Sequence, residues 1–302
     1  MAQPLLARLR EKSPDTRIDV LAPPWVAPVV RRMAEVDDVI EADLRHGALQ
    51  LGERRRLGRA MRERTYDQAI VLPNSWKSAL IPFLAGVPLR VGYAGDFRYG
   101  LLNVVHDEKR KREPMTLHYA RLAEKPGARL ALPLPVPRLK KSGNETAARF
   151  GISGPYAVLC PGAEYGPAKR WPYFRELAAR LETQVVVLGS ASDREQAEGI
   201  PGTNLAGQTT LDEAIDLIAG ADAVVTNDSG LMHVAAASGT PQVALFGSSS
   251  PEHTPPQSVV ARTIWLKVEC SPCFERVCPL GHFKCMHGLS VERVLEAAQA
   301  LA

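Results

Sequence analysis

A short polar segment in the second half of the 302-residue chain has residue types that suit anion binding. The segment Asn227 to Gly230, with the sequence NDSG, stands between a predicted strand and a predicted helix. The free backbone N–H groups of a helix's first turn can hold a diphosphate, and a glycine there lets the ligand approach the backbone. Asp228 or Ser229 would serve equally well as an ordinary helix cap. The spacing alone leaves a phosphate site and a plain cap both open.

A second polar loop leads into another predicted helix and presents two cations. This loop, PGAEYGPAKRWP, runs from Pro161 to Pro172 and contains Lys169 and Arg170. A lysine aimed at a departing diphosphate would neutralise the charge that builds up on it. Most loop lysines are simply solvated, so the spacing by itself favours that alternative.

A cysteine-rich segment near the end of the chain raises the question of a metal site. Cys270, Cys273, Cys278 and Cys285 follow the spacing C-x2-C-x4-C-x6-C. Tetrathiolate zinc sites use C-x2-C pairs, but their second pair is usually just as closely spaced, so the match is partial. Reduced structural thiols are the alternative. We assign no metal ligand and no cofactor, and whether these thiols bind metal stays open.

Strands and helices that could position these loops alternate along the chain. Strands are predicted at 17–21, 67–72, 89–92, 156–160, 184–188, 223–226 and 242–246. Helices are predicted at 4–11, 25–33, 48–64, 76–84, 173–181, 211–218 and 231–237. Such alternation indicates βαβ units and parallel sheets, in which ligands bind beyond the carboxyl ends of the strands. The proline-rich stretch 125–141 is typical of a linker. We therefore predict an α/β fold of two Rossmann-like domains, 1–140 and 141–302, facing a cleft.

The start of the first domain departs from this pattern. The chain opens on a predicted helix at 4–11, where a Rossmann-like domain normally begins with a strand and a glycine-containing turn. The first strand is expected to be missing, with Met1 an internal methionine of a longer chain.

Composition and charge narrow the class of protein. The chain is 45% hydrophobic, has no apolar run near the roughly 20 residues of a membrane span, and opens without an export signal, so we expect a cytoplasmic protein. Residues 1–140 hold 25 Lys and Arg against 16 Asp and Glu, whereas residues 141–302 hold 12 against 17. A basic half suits an anionic partner, although solvated helix faces would give the same count. Signatures for dinucleotide binding, P-loop hydrolysis and zinc hydrolysis are absent from the sequence.

Longer motifs carry a family resemblance. The segments are PGAEYGPAKRWP, NDSGLMHVAAASGTPQVALFGSSSPEHTPP, CSPCFERVCPLGHFKCM, LPNSWKSALIPFLAGVPLRVGY and RYGLLN. Together they resemble the bacterial ADP-heptose:lipopolysaccharide heptosyltransferases, particularly the heptosyltransferase II group. The likeness spans nearly the whole chain.

The resemblance implies a GT-B glycosyltransferase with an N-terminal acceptor domain and a C-terminal donor domain. It implies an inverting, metal-independent transfer of heptose from ADP-heptose to the heptosyl-Kdo2-lipid A inner core. Lys169 matches the family's lysine near the donor diphosphate; Asp228, Ser229 and Gly230 match its donor turn, and His233 the histidine that follows. The family's expected catalytic base is an aspartate in a turn that would precede Met1, so the catalytic residue is left unassigned.

The expected partners are ADP-heptose, the phosphorylated lipid A core and the cytoplasmic face of the inner membrane, without nucleic acid. Candidate contacts to acceptor phosphates are Arg54, Arg55 and Arg56, together with Lys109 to Arg112. Two alternatives remain open: a nucleotide-sugar epimerase of similar architecture, and an inactive truncated nucleotide-sugar binder.

Overall fold

The computed structural model describes residues 1–45, 47–107, 113–143 and 145–301, which form two α/β units. The first unit comprises Met1–Val30 and Glu35–Pro135, and the second comprises Arg31–Ala34 and Val136–Ala302. The sequence analysis predicted a single boundary after residue 140, with residues 1–140 as one continuous domain. Arg31–Ala34 joins the second unit because the Lys140 N–H donates to the Arg32 carbonyl at 2.8 Å and Met33 forms a β-bridge with Leu139.

The first unit alternates short strands with helices. Its strands are β1 (Asp19–Ala22), β2 (Asp38–Glu41), β3 (Gln68–Val71), β4 (Leu89–Tyr93) and β5 (Val104–His106). Its helices are α1 (Gln3–Lys12), α2 (Ala27–Arg31), α3 (Leu51–Arg62), α4 (Trp76–Ala85) and α5 (Met115–Ala120). The three strands and four helices predicted here are observed, with shifted ends, whereas β2, β5 and α5 were missed.

Where the sequence predicted one parallel sheet, the strands of this unit form two. β1 pairs with β2, and β4 lies between β3 and β5, all in parallel. Side chains connect β1 to the chain just before β3: the Tyr66 hydroxyl donates to Asp19 at 2.5 Å, and Arg64 binds both Asp19 and Asp38. Helices α3 and α4 touch closely at Gly58, where an added Cβ would lie 2.8 Å from the Leu84 Cβ.

The second unit is built on a six-stranded parallel sheet. The strands are β6 (Tyr156–Cys160), β7 (Gln184–Val187), β8 (Thr203–Asn204), β9 (Ala223–Asn227), β10 (Gln242–Phe246) and β11 (Ala261–Trp265). The helices are α6 (Glu145–Arg149), α7 (Phe174–Ala178), α8 (Arg194–Ala197), α9 (Leu211–Ala219), α10 (Gly230–Ser238), α11 (Lys284–His287) and α12 (Val291–Gln299). The strand order is β8-β7-β6-β9-β10-β11, which is the Rossmann order. The direction of winding reverses between β6 and β9, and the loops that follow these two strands are where such sheets bind ligands.

The central strands are the most deeply buried parts of the chain. Every residue of β6 and β10 is buried, as expected for a parallel sheet covered on both faces. All four strands predicted for this unit are observed, and β6 and β10 have the predicted bounds. Within the described ranges, no helix combines the length and apolar character needed to cross a membrane.

Candidate active site

Two polar segments meet where the sheet's winding reverses, and Asn227 joins them. Asn227, at the end of β9, is fully buried. Its side-chain oxygen accepts a hydrogen bond from the backbone N–H of Trp171 at 3.1 Å, and its amide nitrogen donates to the Pro161 carbonyl at 2.7 Å. Because both ends of the loop after β6 are tied to one side chain, the loop and the turn after β9 are held in a fixed relation.

Lys169 and Asp228 form an ion pair between these segments. The Lys169 Nζ lies 2.6 Å from Asp228 Oδ2, and the Ser249 hydroxyl donates to the same oxygen at 2.6 Å. The two charged side chains are only 15% and 5% exposed. Lys169 also lies 4.7 Å from the centre of the Tyr165 ring, close enough for a cation–π contact. Lys169 is therefore a fixed cation at the reversal point rather than a solvated loop residue.

The first turn of α10 lies beside this pair, because Asp228 comes two residues before Gly230, where the helix begins. Gly230 is the first residue of α10, and Ser229 precedes it in an extended conformation. Within the described chain, the Ser229 side chain makes no capping hydrogen bond to the helix. A Cβ added at Gly230 would meet no described heavy atom within 4 Å, so the space above this turn is open. These observations favour an anion site over the plain cap that the sequence left open.

His233 lies on α10, one turn after Gly230. Burial lowers the pKa of His233 to about 4, so its imidazole is neutral at pH 7. A neutral imidazole can donate one hydrogen bond and accept another, but it brings no positive charge to a phosphate. Positive potential at this point therefore comes from Lys169 and the N-terminus of α10, whereas His233 can offer only hydrogen bonds.

The cysteine-rich segment supports the Lys169 loop, a function that sequence reasoning missed. The Tyr165 hydroxyl donates to the Phe274 carbonyl at 2.5 Å, and the Ala168 N–H donates to the Arg276 carbonyl at 3.1 Å. Gly166 has a φ of 146°, and a Cβ there would lie 2.4 Å from the Arg276 carbonyl oxygen. The close approach therefore requires glycine. The loop that carries Lys169 rests on residues 274–276.

The four cysteines of this segment are free thiols. Across residues 1–45, 47–107, 113–143 and 145–301, no three His, Cys, Asp or Glu side chains are grouped so that they could hold a metal ion. The Phe283 N–H donates to Cys278 Sγ at 3.4 Å, and such backbone donors lower the pKa of the Cys278 thiol. Cys285 is buried beside Gly247.

The three arginines predicted to contact acceptor phosphates differ in their exposure to solvent. Arg54 is buried, and its guanidinium donates to the carbonyls of Leu49 at 2.7 Å and Lys77 at 2.8 Å. These bonds turn its donors toward the protein, because a buried guanidinium must satisfy them there. Arg56 is exposed and pairs with Glu53, and Arg55 is exposed. Lys109 to Arg112 lie outside the described residues.

Ser249 and Tyr165 also belong to the site, although the sequence did not single them out. Ser249 follows β10, the strand next to β9, and its hydroxyl fixes the Asp228 carboxylate. Its position at the carboxyl end of a central strand was the available signal. Tyr165 gave none, because an aromatic residue in a polar loop has many uses.

The second unit, with its Rossmann strand order and its fixed lysine beside an open helix N-terminus, has the features of α/β proteins that can bind an anion such as a diphosphate. Comparison of the sequence with family models agrees with this class. The model of glycosyltransferase family 9 (heptosyltransferase) matches residues 54–284, and the chain belongs to this family of enzymes.

Curated relatives match over most or all of the chain. Lipopolysaccharide heptosyltransferase 2 of Escherichia coli K12 is 45% identical over an alignment of 327 positions, gaps included, which covers 100% of this chain and 94% of the relative. Lipooligosaccharide heptosyltransferase 2 of Haemophilus influenzae is 45% identical over an alignment of 295 positions, gaps included, which covers 88% of this chain and 84% of the relative.

Solved structures confirm the predicted GT-B fold class. E. coli ADP-heptose LPS heptosyltransferase II superposes with a TM-score of 0.88 at 43% identity, covering 99% of this chain and 93% of that one. A family 9 glycosyltransferase from Veillonella parvula has a TM-score of 0.82 at 20% identity, covering 99% and 92%, and shows the same fold.

Proposed function

We propose that this enzyme is a heptosyltransferase of type II, which moves a heptose from ADP-heptose onto the heptosyl-Kdo2-lipid A inner core of lipopolysaccharide. The observation that carries the proposal is the Lys169–Asp228 pair beside the open first turn of α10, at the reversal point of the sheet. The two relatives reported above, each 45% identical, are named lipopolysaccharide heptosyltransferase 2 and lipooligosaccharide heptosyltransferase 2.

The donor diphosphate lies over the first turn of α10 in this proposal. Its negative charge grows as the bond to the sugar breaks, and Lys169 together with the N–H groups that follow Ser229 stabilises that charge. Asp228 has the wrong sign for a phosphate, so it orients Lys169 and accepts hydrogen bonds from sugar hydroxyls. His233 contributes a neutral hydrogen-bonding group. A single displacement at the anomeric carbon inverts its configuration.

The first unit binds the acceptor in this proposal. Arg55 and Arg56 are the exposed members of the arginine run on α3, and they are the candidates for acceptor phosphates. The enzyme works in the cytoplasm, in peripheral contact with the inner membrane that holds the acceptor. A steep loss of acceptor affinity with added salt in wild type, reduced in an Arg55→Ala/Arg56→Ala variant, would support the phosphate contacts.

The epimerase alternative is not favoured, because the family match is to glycosyltransferases. An epimerase would also act on the donor alone. An inactive nucleotide-sugar binder differs in another way, since it would bind ADP-heptose without transferring the sugar.

The test is release of ADP from ADP-heptose with and without a heptosylated Kdo-lipid A acceptor. We expect acceptor-dependent release, lost in Lys169→Met and retained in the control Lys141→Met, which removes an exposed lysine of the same unit. Donor binding without any transfer would identify the inactive binder. Absence of both donor binding and ADP release in wild type would overturn the proposal.

A further inference from the structure

Three exposed aromatic side chains belong to two neighbouring segments of the first unit. Phe97 is 93% exposed, Tyr99 is 75% exposed and Trp76 is 39% exposed. Phe97 and Tyr99 belong to the loop after β4, residues 94–99, which we call the aromatic loop. Trp76 is the first residue of α4 and contacts this loop, because its backbone N–H donates to Asp96 Oδ2 at 2.7 Å.

The aromatic loop is anchored from below by a buried arginine. Arg98 is only 2% exposed, and its guanidinium donates to the carbonyls of Pro73 and Tyr93, both at 2.5 Å, and to the Asn74 side chain at 3.2 Å. These bonds tie the loop to the end of β4 and to the turn before α4. The residues on either side of Arg98 therefore project outward from a fixed base.

The backbone of the loop is strained at the most exposed residue. Asp96 and Phe97 have φ angles of 46° and 52°, in the left-handed region that side chains larger than glycine rarely adopt. A phenylalanine in this conformation costs free energy that a glycine would not, and its ring gains almost no burial in return. The folded protein alone gives no stabilising reason for a phenylalanine at this position.

We propose that Trp76, Phe97 and Tyr99 form a surface that docks onto the interface of an anionic phospholipid bilayer. Aromatic rings are the side chains that settle at the level of lipid headgroups, with one part apolar and another part wet. The charge of the unit complements such a surface, since its two segments hold 21 Lys and Arg against 16 Asp and Glu. The inference deepens the proposed function, because it names the surface through which the enzyme reaches a membrane-embedded acceptor.

Phe97→Gly is the most informative variant, because it separates docking from folding. Glycine adopts the observed φ without strain, so the variant should unfold at the same temperature as wild type or higher. Loss of a ring that enters the lipid interface costs about tenfold in partitioning, so binding to vesicles should weaken by about that factor. Phe97→Trp keeps an aromatic ring and should bind as tightly as wild type. The matched control is Val259→Ser, which removes an apolar side chain that is 98% exposed on the second unit.

Binding is measured by co-sedimentation with vesicles of phosphatidylethanolamine and phosphatidylglycerol in equal parts, and with phosphatidylcholine vesicles for comparison. We expect wild type, Phe97→Trp and Val259→Ser to bind the anionic vesicles, and Phe97→Gly to bind them about tenfold more weakly. Equal binding by Phe97→Gly and wild type would overturn the proposal. If Phe97→Gly changes the self-association of the protein in the absence of vesicles, the surface binds a second copy of the chain instead.

A separate assay keeps the two proposals apart. Transfer to an acceptor stripped of its acyl chains, in free solution, tests the chemistry without any membrane. Equal transfer by wild type and Phe97→Gly there, with weaker vesicle binding by the variant, supports the docking surface. Absence of transfer by wild type would remove the heptosyltransferase assignment, while the vesicle comparison would still decide whether the aromatic surface binds lipid.

Discussion

Replacing Lys169 by methionine tests whether the ion pair at the reversal point serves catalysis or only structure. Lys169→Met preserves much of the side chain's volume but removes its charge. The remaining Asp228 carboxylate, 5% exposed, would keep the Ser249 hydroxyl as a partner and lose its counter-charge. We expect both stability and turnover to fall, for different reasons that a second substitution can separate.

The stability loss follows from the distance and burial of the pair. At 2.6 Å and an effective dielectric constant of about 20, the attraction between the two charges is about 6 kcal/mol before desolvation is counted. Removing one partner of a buried pair typically costs about 3 kcal/mol net, because the other charge stays buried. Asp228→Asn should cost only about 1 kcal/mol, since Lys169 is the more exposed partner and can turn toward water. The double variant should therefore be more stable than Lys169→Met alone.

Turnover should behave differently. If Lys169 stabilises the departing diphosphate, its loss should lower kcat by about 100-fold to 1,000-fold, and Asp228→Asn should not restore it. Stability is measured by urea unfolding and turnover by acceptor-dependent ADP release at saturating donor. A decrease in kcat of less than about tenfold for Lys169→Met would refute the electrostatic role, and so would recovery of kcat in the double variant.

Three further outcomes can be checked. Gly230→Ala should fold with unchanged or slightly higher stability, because the added methyl meets open space and alanine favours helices; its KM for ADP-heptose should rise if the diphosphate occupies that space. The pKa of His233 is about 4 in the folded chain and about 6.5 in the unfolded chain, so at pH values between these two the unfolded chain binds more protons at this residue. Folding stability should therefore fall by about 2 kcal/mol between pH 7 and pH 5, and a His233→Gln variant should lack this part of the pH dependence in urea unfolding. Arg54→Ala should lower the free energy of unfolding by about 2 kcal/mol, because it leaves two carbonyls without their donor. Arg55→Ala should change that free energy by less than about 0.5 kcal/mol.

The sequence predicted the bounds of the central strands of the second unit better than those of the other strands, for a physical reason. Strands such as Tyr156–Cys160 and Gln242–Phe246 are buried on both faces, so their apolar runs are continuous and easily detected. The strand Ala261–Trp265 lies at the sheet edge, and its two exposed residues break the pattern. The two-residue strand Thr203–Asn204 is too short to leave any pattern.

Parts of the site were predictable and parts were not. Lys169 and Asp228 each stood in a polar loop after a strand, but their pairing joins residues 59 positions apart and no periodicity reveals it. The burial of Arg54 was missed because a charged residue in a basic helix is normally read as surface. The carbonyl of Leu49, just before the same helix, and the carbonyl of Lys77, brought there by the packing of α4 against α3, make that burial tolerable.

The support of the Lys169 loop has a consequence for the order in which the protein matures. The loop follows β6, yet it rests on Phe274 and Arg276, and the indole of Trp171 donates to the Leu289 carbonyl at 2.9 Å. A nascent chain that has emerged from the ribosome only as far as β10 can pair its central strands but cannot hold this loop. Nucleotide affinity should therefore appear late in synthesis, after residue 289 has emerged, and donor binding would report completion of the fold.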